Sequence, residues 1–174
     1  GHADTVVSAG NTGALLAISM VAMRMLQGAH RPALASFLPT ARGETVMLDL
    51  GANLDCDADN LAEFAVMGSV FAQVLLGLDQ PKVGLLNVGS EELKGHEELR
   101  QAAAMLRTEG SPINFYGFVE GDDIGSGNVD VVVTDGFTGN VALKSIEGTA
   151  KLYTQWVRDV FRTSTFAKIG GLFA

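Results

Sequence analysis

The stretch Val129-Asp-Val-Val-Val-Thr-Asp-Gly-Phe-Thr-Gly139 joins a run of β-branched residues to a glycine-rich turn. Such a run favours a buried strand, and the turn after it is typical of the start of a helix. A second stretch, Ala3-Asp-Thr-Val-Val-Ser-Ala-Gly-Asn-Thr-Gly13, repeats this order 126 residues earlier. The likeness has two interpretations: a general property of α/β proteins, or two similar loops on one rim of a sheet.

Strands and helices alternate on both sides of these stretches. The pattern predicts strands over 5–8, 33–38, 45–50, 82–88, 113–119 and 129–134, and helices over 12–26, 59–78, 95–107 and 140–161. The strands at 33–38 and 45–50 are separated by a short turn, which predicts a hairpin. The helix at 12–26 is apolar throughout and is expected to be buried, and Asp59 or Asn60 is expected to cap the helix at 59–78. We therefore predict an α/β fold, a three-layer sandwich with a mostly parallel, mixed sheet.

Composition narrows the class of protein. The chain has 174 residues, 47% of them hydrophobic and 18% charged, which is enough for a folded core of one domain or slightly more. One cysteine excludes a disulfide framework. Residues 1–140 carry seven Lys and Arg against 18 Asp and Glu, so this acidic body argues against nucleic-acid binding. No leader or continuous apolar run of about 18 residues is visible, and the cytoplasm is the expected compartment.

Polar, glycine-punctuated loops follow four of the predicted strands. In open α/β sheets, ligands bind beyond the carboxyl ends of the strands. Glycine-rich turns that open helices expose backbone N–H groups, which suit phosphate. Neither a Walker lysine nor a G-x-G-x-x-G fingerprint is present, which argues against an NTPase and a dinucleotide enzyme. The four loops lie at 8–13, 49–55, 87–95 and 135–140.

Few side chains in these loops are suited to covalent chemistry. Cys56 has no histidine near it in sequence, and the three histidines form no metal-spaced pair, so we expect neither a metal nor a cofactor. Lys94 is the one cation within a strand-end loop and suits a phosphate or an oxyanion, although a surface lysine fits the sequence equally well. Strand-end Asp residues suit a general base, a metal or ordinary turn chemistry. His96 fits either the rim or a solvated helix start.

The loops, in this order, resemble those of the PlsX-type phosphate acyltransferases, and the likeness covers nearly the whole chain. The stretches that carry it are Val7-Ser-Ala-Gly-Asn-Thr-Gly-Ala14, Leu48-Asp-Leu-Gly-Ala-Asn53, Val83-Gly-Leu-Leu-Asn-Val-Gly89, Glu91-Glu-Leu-Lys-Gly95, Val131-Val-Val-Thr-Asp-Gly-Phe-Thr-Gly-Asn140 and Leu143-Lys-Ser-Ile-Glu-Gly148. Family members are roughly twice as long, so the chain is expected to be an internal fragment.

The resemblance implies that inorganic phosphate attacks the thioester of an acyl carrier protein, giving an acyl phosphate for phospholipid synthesis. It implies a fold similar to the isopropylmalate dehydrogenase and phosphotransacetylase group, a homodimer, and peripheral association with the inner face of the cell membrane. No cofactor is implied. The residues expected to act in catalysis are Lys94, Asn87 and Asp135. Those expected to bind phosphate or substrate are Ser8, Gly10, Asn11, Thr12, Gly13, Asp49, Asn53, Gly136, Thr138, Gly139 and Asn140.

The C-terminal segment differs from the acidic body. Apolar residues recur at helical spacing among basic ones, which is typical of a helix lying at a membrane interface. We predict an α/β core over 1–157 and a membrane-contacting segment over 158–174. The residues expected to touch the membrane are Phe161, Phe166, Ile169, Leu172 and Phe173. The same basic patch also suits an acidic carrier protein, and the helix up to residue 157 suits core packing or a dimer face.

Three other functions fit parts of this pattern. A phosphotransacetylase or phosphobutyryl transferase would use similar loops with a coenzyme A thioester, so the preferred donor separates it from the first interpretation. An oxidoreductase of the isopropylmalate dehydrogenase type would need a nicotinamide site and metal-binding carboxylates, for which no adequate set is visible. A non-catalytic, phosphate-binding module at the membrane would bind phosphate without turnover.

Overall fold

Within residues 5–163, five strands form one mixed sheet. They are β1 (Ala35–Thr40), β2 (Gly43–Leu48), β3 (Lys82–Leu86), β4 (Asn114–Val119) and β5 (Val131–Val133). Their order across the sheet is β1-β2-β5-β3-β4, with β1 antiparallel to β2 and the other neighbours parallel. The predicted hairpin and the predicted α/β fold with a mostly parallel, mixed sheet are confirmed.

The helices are α1 (Thr12–Met23), α2 (Ala58–Leu76), α3 (Glu97–Leu106) and α4 (Gly136–Thr163), with a short 3₁₀ turn at Ile124–Ser126. The computed structural model describes residues 5–163. The chain divides into two compact units, residues 1–140 and residues 141–174. The division that the sequence predicted, after residue 157, falls within α4.

The core lies between the sheet and one layer of helices. Alternate residues of β2, β3 and β5 pack against α2 and α3, and Phe64 of α2 is completely buried among them. A Cβ at Gly68 would stand 2.5 Å from Val131, so only glycine lets α2 approach the strands this closely. Between residues 5 and 163, α2 is the one helix long and apolar enough to cross a membrane, and eight of its residues are buried.

Local capping fixes where α2 begins. The carboxylate of Asp57 accepts a hydrogen bond from the backbone N–H of Asn60 (2.8 Å), and the Asn60 side chain accepts one from the backbone N–H of Asp57 (3.4 Å). This reciprocal capping box satisfies two N–H groups at the helix start. The cap therefore lies two or three residues before the predicted Asp59 or Asn60.

The segment between α1 and β1 is fastened to α2 by one histidine. Glu63 accepts hydrogen bonds from the backbone N–H of His30 (3.0 Å) and from its imidazole. The imidazole bond raises the pKa of His30. Burial by itself would raise the pKa of Glu63, but the bonds from His30 outweigh it and lower that pKa.

Residues 5–23 differ in part from the prediction. Residues 5–10 form no strand in the structure, and Val6 and Val7 are 78% and 93% exposed. Helix α1 forms as predicted, with the Asn11 side chain accepting a hydrogen bond from the N–H of Ala14, but none of its residues is buried. A helix closes its hydrogen bonds within itself, whereas a strand needs a neighbour, so the helix forms where the strand does not.

Candidate functional site

The loops that follow β2, β5 and β3 meet at one edge of the sheet, because these strands are parallel neighbours. Backbone hydrogen bonds continue between them beyond the strand ends. The N–H of Asp49 donates to the carbonyl of Thr134 (3.0 Å), and the N–H of Thr134 donates to the carbonyl of Leu48 (2.8 Å). The N–H of Asn87 donates to the carbonyl of Val119 (2.8 Å), which ties in β4. Three of the four predicted loops therefore form a common rim.

Asp49 shapes this rim from the inside. Its side chain is fully buried, and the peptide bond before it is cis. The carboxylate accepts hydrogen bonds from the backbone N–H groups of Leu34, Gly51, Ala52 and Asn53 and from the Asn53 side-chain amide, at 2.7–3.2 Å. These bonds occupy the carboxylate and fold residues 49–53 into a tight turn. The role of Asp49 and Asn53 as substrate ligands stays a prediction, since the structure places them as organisers of the loop.

The start of α4 packs directly onto that turn. The N–H of Gly136 donates to the carbonyl of Asn53 (2.7 Å), and a Cβ at Gly139 would stand 1.9 Å from the carbonyl oxygen of Asp49. Asp135 caps the helix, because its carboxylate accepts from the N–H (2.8 Å) and the hydroxyl (2.7 Å) of Thr138. The side chain of the predicted ligand Asn140 lies against Gly51 in the same place. The structure thus brings the second and fourth predicted loops into contact.

Asn87 and Lys94 belong to the third loop. The Asn87 amide donates to the carbonyl of Lys94 (3.1 Å), and its oxygen accepts from the N–H of Val88 (2.8 Å). Gly95 follows with φ +87°, and a Cβ there would stand 2.2 Å from the Asn87 oxygen. Only glycine fits that conformation and that space. Asn87 therefore holds the backbone that carries Lys94, and its catalytic role stays a prediction.

The Lys94 ammonium is exposed at the rim. It forms an ion pair with Glu91 (2.8 Å), and the two side chains are 51% and 62% exposed. The hydrogen bond between them raises the pKa of Lys94 and lowers that of Glu91. An exposed pair of this kind is weak and exchanges readily with a competing anion. Lys94 is therefore charged and available, which agrees with its predicted role without testing it.

The first predicted loop stands apart in its bonding. The Ser8 hydroxyl accepts from the N–H of Gly10 (3.1 Å), and Asn11 caps α1, so both bonds are local. Ser8, Gly10, Asn11, Thr12 and Gly13 are all exposed. The free N–H groups at the start of α1 keep the character of an anion site. Its place beside the other three loops stays a prediction.

A groove of about 380 Å³ opens where the second loop meets the starts of α3 and α4. Its lining includes His96, which precedes α3 without capping it, and the half-buried Cys56. Burial raises the pKa of the Cys56 thiol to about 11, so the thiol stays protonated near neutral pH and is a poor nucleophile. The sequence did not predict the groove, although the place of His96 directly after Lys94 and Gly95 was a signal.

In the second unit, the exposed part of α4 has two contrasting faces. Ile146, Tyr153, Val157 and Val160 share one side at helical spacing and are 36–65% exposed. The other side carries Lys144, Lys151, Arg158 and Arg162. Of the predicted membrane contacts, Phe161 is 44% exposed. Phe166, Ile169, Leu172 and Phe173 lie outside the described residues.

Within residues 5–163, no group of three or more His, Cys, Asp or Glu side chains is arranged to hold a metal ion. The carboxylates of Asp49 and Asp135 are instead engaged with backbone N–H groups and with Thr138. The rim therefore positions polar backbone groups and the exposed Lys94 ammonium.

Sequence comparison places the whole chain in one family. A family model described as "Fatty acid synthesis protein" matches residues 1–174. The phosphate acyltransferase of Rhodospirillum centenum is 62% identical over 174 residues, covering all of this chain and 49% of that protein. The phosphate acyltransferase of Paramagnetospirillum magneticum is 60% identical, covering all of this chain and 50% of that protein. The chain thus spans about half the length of the curated relatives it matches.

Structural comparison finds the same fold at low sequence identity. The EutD phosphotransacetylase from Staphylococcus aureus superposes with a TM-score of 0.61 at 18% identity, over 76% of this chain and 46% of that one. A branched-chain phosphotransacylase from Enterococcus faecalis V583 gives a TM-score of 0.58 at 18% identity, over 80% and 56%. These likenesses establish the fold and agree with the fold group that the sequence predicted.

Proposed function

Because the chain belongs to the fatty acid synthesis protein family, we propose that the protein is a phosphate acyltransferase that moves an acyl group from acyl carrier protein to inorganic phosphate. The observation that carries the proposal is the 58–62% identity to three phosphate acyltransferases over the whole chain, which includes all four predicted loops. The product, an acyl phosphate, would serve phospholipid synthesis.

The proposed reaction needs no covalent enzyme intermediate. An oxygen of phosphate attacks the thioester carbonyl carbon, and the carbonyl electrons move onto its oxygen. The resulting oxyanion collapses, the carbon–sulfur bond breaks, and the carrier leaves as a thiolate that takes a proton. Phosphate is already nucleophilic near neutral pH, so the enzyme contributes positioning, which is worth about 7–11 kcal/mol in favourable cases. It must also stabilise the oxyanion.

The rim and the start of α1 together support a division of roles. The free N–H groups at the start of α1, with Ser8, suit the phosphate, because helix N-termini attract anions. Lys94 would then release Glu91 and neutralise the phosphate or the oxyanion. Asn87 would hold the Lys94 backbone in place, and Asp49 would hold the turn on which α4 begins. In this scheme Asn87 and Asp49 act through the loops they support.

The test is a substitution of Lys94 in the full-length protein. Acyl phosphate is trapped with hydroxylamine from palmitoyl carrier protein and inorganic phosphate. Lys94→Ala is expected to lower kcat/KM about 100-fold, the usual effect of removing one oxyanion-stabilising group. Lys82→Ala is the matched control, because Lys82 is an exposed lysine at the opposite end of β3, and it should leave kcat/KM unchanged. A Lys94→Ala value within about twofold of wild type would exclude this role.

The fold also supports a second candidate function. Phosphotransacetylases share the fold, so a coenzyme A thioester is the competing donor. Palmitoyl-coenzyme A in the same trapping assay separates the two. More hydroxamate from the coenzyme A donor than from the carrier donor would favour the second candidate. Phosphate binding without product from either donor would instead favour a non-catalytic module.

The two-faced part of α4 supports peripheral association with a membrane. The inner face of the cell membrane as the place of that association, and a homodimer, are implied by the resemblance to the phosphate acyltransferases. Basic side chains opposite an apolar, aromatic side suit an anionic lipid surface. Vesicle flotation tests the first: the protein should float with anionic vesicles, and Lys151→Glu with Arg158→Glu should abolish this. Equal flotation with neutral vesicles would contradict it, and loss of carrier binding instead would assign the patch to the carrier protein. Light scattering reports the oligomeric state.

A further inference from the structure

The groove beside the rim has a mixed lining that the proposed division of roles leaves unused. Leu54 and Phe137 stand at its sides and are 62% and 64% exposed, and Leu61 lies buried beneath them. Asp55, Glu98 and Asp135 add carboxylates to the same lining. Its volume of about 380 Å³ falls in the range of small-molecule sites.

We propose that this groove binds the pantetheine arm of the thioester donor, next to the thioester itself. The inference rests on the proposed function and adds to it the location of the donor. Three observations carry it: the charge of the lining, the mixture of apolar and polar groups, and the place of the groove on the rim.

Charge excludes the other substrate from the groove. Inorganic phosphate carries one to two negative charges near neutral pH, and three carboxylates would repel it. A pantetheine arm is neutral along its length from the thioester through both amides. The groove and the start of α1 are thus suited to different substrates, which a two-substrate reaction requires.

The mixture of groups selects the arm over the acyl chain. Pantetheine has two amide N–H groups, and carboxylates such as those of Asp55 and Glu98 can accept hydrogen bonds from them. Its methyl and methylene groups match Leu54 and Phe137. An acyl chain offers no donor and would leave these carboxylates desolvated and unpaired, which is unfavourable.

The place of the groove joins the arm to the chemistry. Asp135 and Thr138 line the groove, and Asp135 also caps the start of α4, which packs on the Asp49 turn. An arm lying in the groove therefore ends at the carboxyl edge of β5. That is the edge at which phosphate would attack.

The experiment removes the exposed apolar walls from the full-length protein. Leu54→Ala and Phe137→Ala are each expected to raise the KM for an acyl-pantetheine thioester about tenfold, since burying such side chains contributes to binding. The KM for phosphate should stay within about twofold. Leu93→Ala is the matched control: the same residue type, 87% exposed, in a neighbouring rim loop and outside the groove. It should change neither value.

Chain length and direct binding complete the test. The rise in KM should be equal for acetyl- and palmitoyl-pantetheine, and a rise confined to the palmitoyl donor would overturn the proposal by placing the acyl chain in the groove. A rise in the KM for phosphate would also overturn it.

Calorimetry with a non-hydrolysable acyl-pantetheine amide measures donor binding without turnover. Binding lost in Leu54→Ala but kept in Leu93→Ala supports the groove even if the protein forms no acyl phosphate. If Leu54→Ala and Phe137→Ala both turn over with an unchanged KM for the donor, the proposed function stands. The proposal that the groove binds the pantetheine arm is then refuted.

Discussion

Replacing Asp49 by alanine is expected to destabilise the protein strongly, because one buried carboxylate organises the rim. Its two oxygens accept five hydrogen bonds at 2.7–3.2 Å, four of them from backbone N–H groups. Alanine leaves all five donors without this acceptor. The loop that carries the start of α4 should then lose its fixed shape.

The size of the effect follows from how many donors water can reach. A buried donor left without an acceptor costs about 1–3 kcal/mol. The residues that carry these donors, Leu34, Gly51, Ala52 and Asn53, are all half-buried, so water is expected to replace much of what each donor loses. Taking the low end of that range, about 1 kcal/mol, for each of the five donors gives a decrease of about 5 kcal/mol in the free energy of unfolding. Asp49→Asn keeps the volume and one acceptor oxygen, so about half of that loss is expected.

Urea denaturation of the full-length protein, followed by far-ultraviolet circular dichroism, measures both variants. Asp55→Ala is the control, because Asp55 is an exposed aspartate just after the same turn, and its removal should change stability by less than about 0.5 kcal/mol. A decrease below about 1 kcal/mol for Asp49→Ala, or one equal to the control, would refute the reasoning. It would show that the turn holds its shape through other contacts.

Three further predictions follow from the same structure. Gly95→Ala and Gly110→Ala both place a Cβ at positive φ, but only at Gly95 does that Cβ meet a neighbour, at 2.2 Å, so Gly95→Ala should lower the melting temperature more; equal shifts would contradict this. His30 has its pKa raised and Glu63 has its pKa lowered, so their pair stabilises the fold chiefly between the ordinary values, about pH 4.5 to 6.5. His30→Gln should therefore reduce stability more near pH 5.5 than near pH 8.5 in urea titrations, and equal losses would argue against the pair. Burial raises the pKa of Cys56 from 9.0 to about 11, so Cys56 should react with iodoacetamide about 100-fold more slowly than a free cysteine at pH 8. A rate close to that of the free thiol would show that Cys56 is not buried as described.

Elements that depend on neighbouring residues could be predicted from the sequence. The hairpin of β1 and β2 and the junction of β5 with α4 follow from alternation, turn residues and helix signals that lie within a few positions of each other. The sheet edge at which the loops gather also follows, because parallel strands place their carboxyl ends together. The cap of α2 was missed by two or three positions, since Asp57, Asp59 and Asn60 all suit a cap and only the reciprocal bonds decide among them.

The hydrogen-bond partners of single polar side chains could not be predicted in this way. The sequence predicts Asp49 as a substrate ligand and Asn87 as a catalytic residue, because carboxylates and amides at strand ends suit a substrate. In the folded chain, backbone groups form hydrogen bonds with both side chains. One of these groups, the N–H of Leu34, lies 15 residues from Asp49 in sequence. The groove was missed for the same reason, since its lining comes from segments as distant as Leu54 and Thr138. Sequence identifies which residue types reach an edge, and the fold decides which of them still face solvent.

The two similar stretches, 3–13 and 129–139, show which features a sequence pattern predicts by itself and which also need a partner strand. Both end in a capped helix: Asn11 caps α1 and Asp135 caps α4, and each cap depends on residues at most three positions away. Their strands differ, because β5 pairs with β2 and β3 on its two sides, whereas residues 5–8 have no strand partner between positions 5 and 163. The repeat therefore encodes the turn and the helix start locally, and it encodes the strand only together with a neighbouring strand. Since the proposed phosphate site needs just the turn and the helix start, its N–H groups are present in this chain even though the strand before them is not.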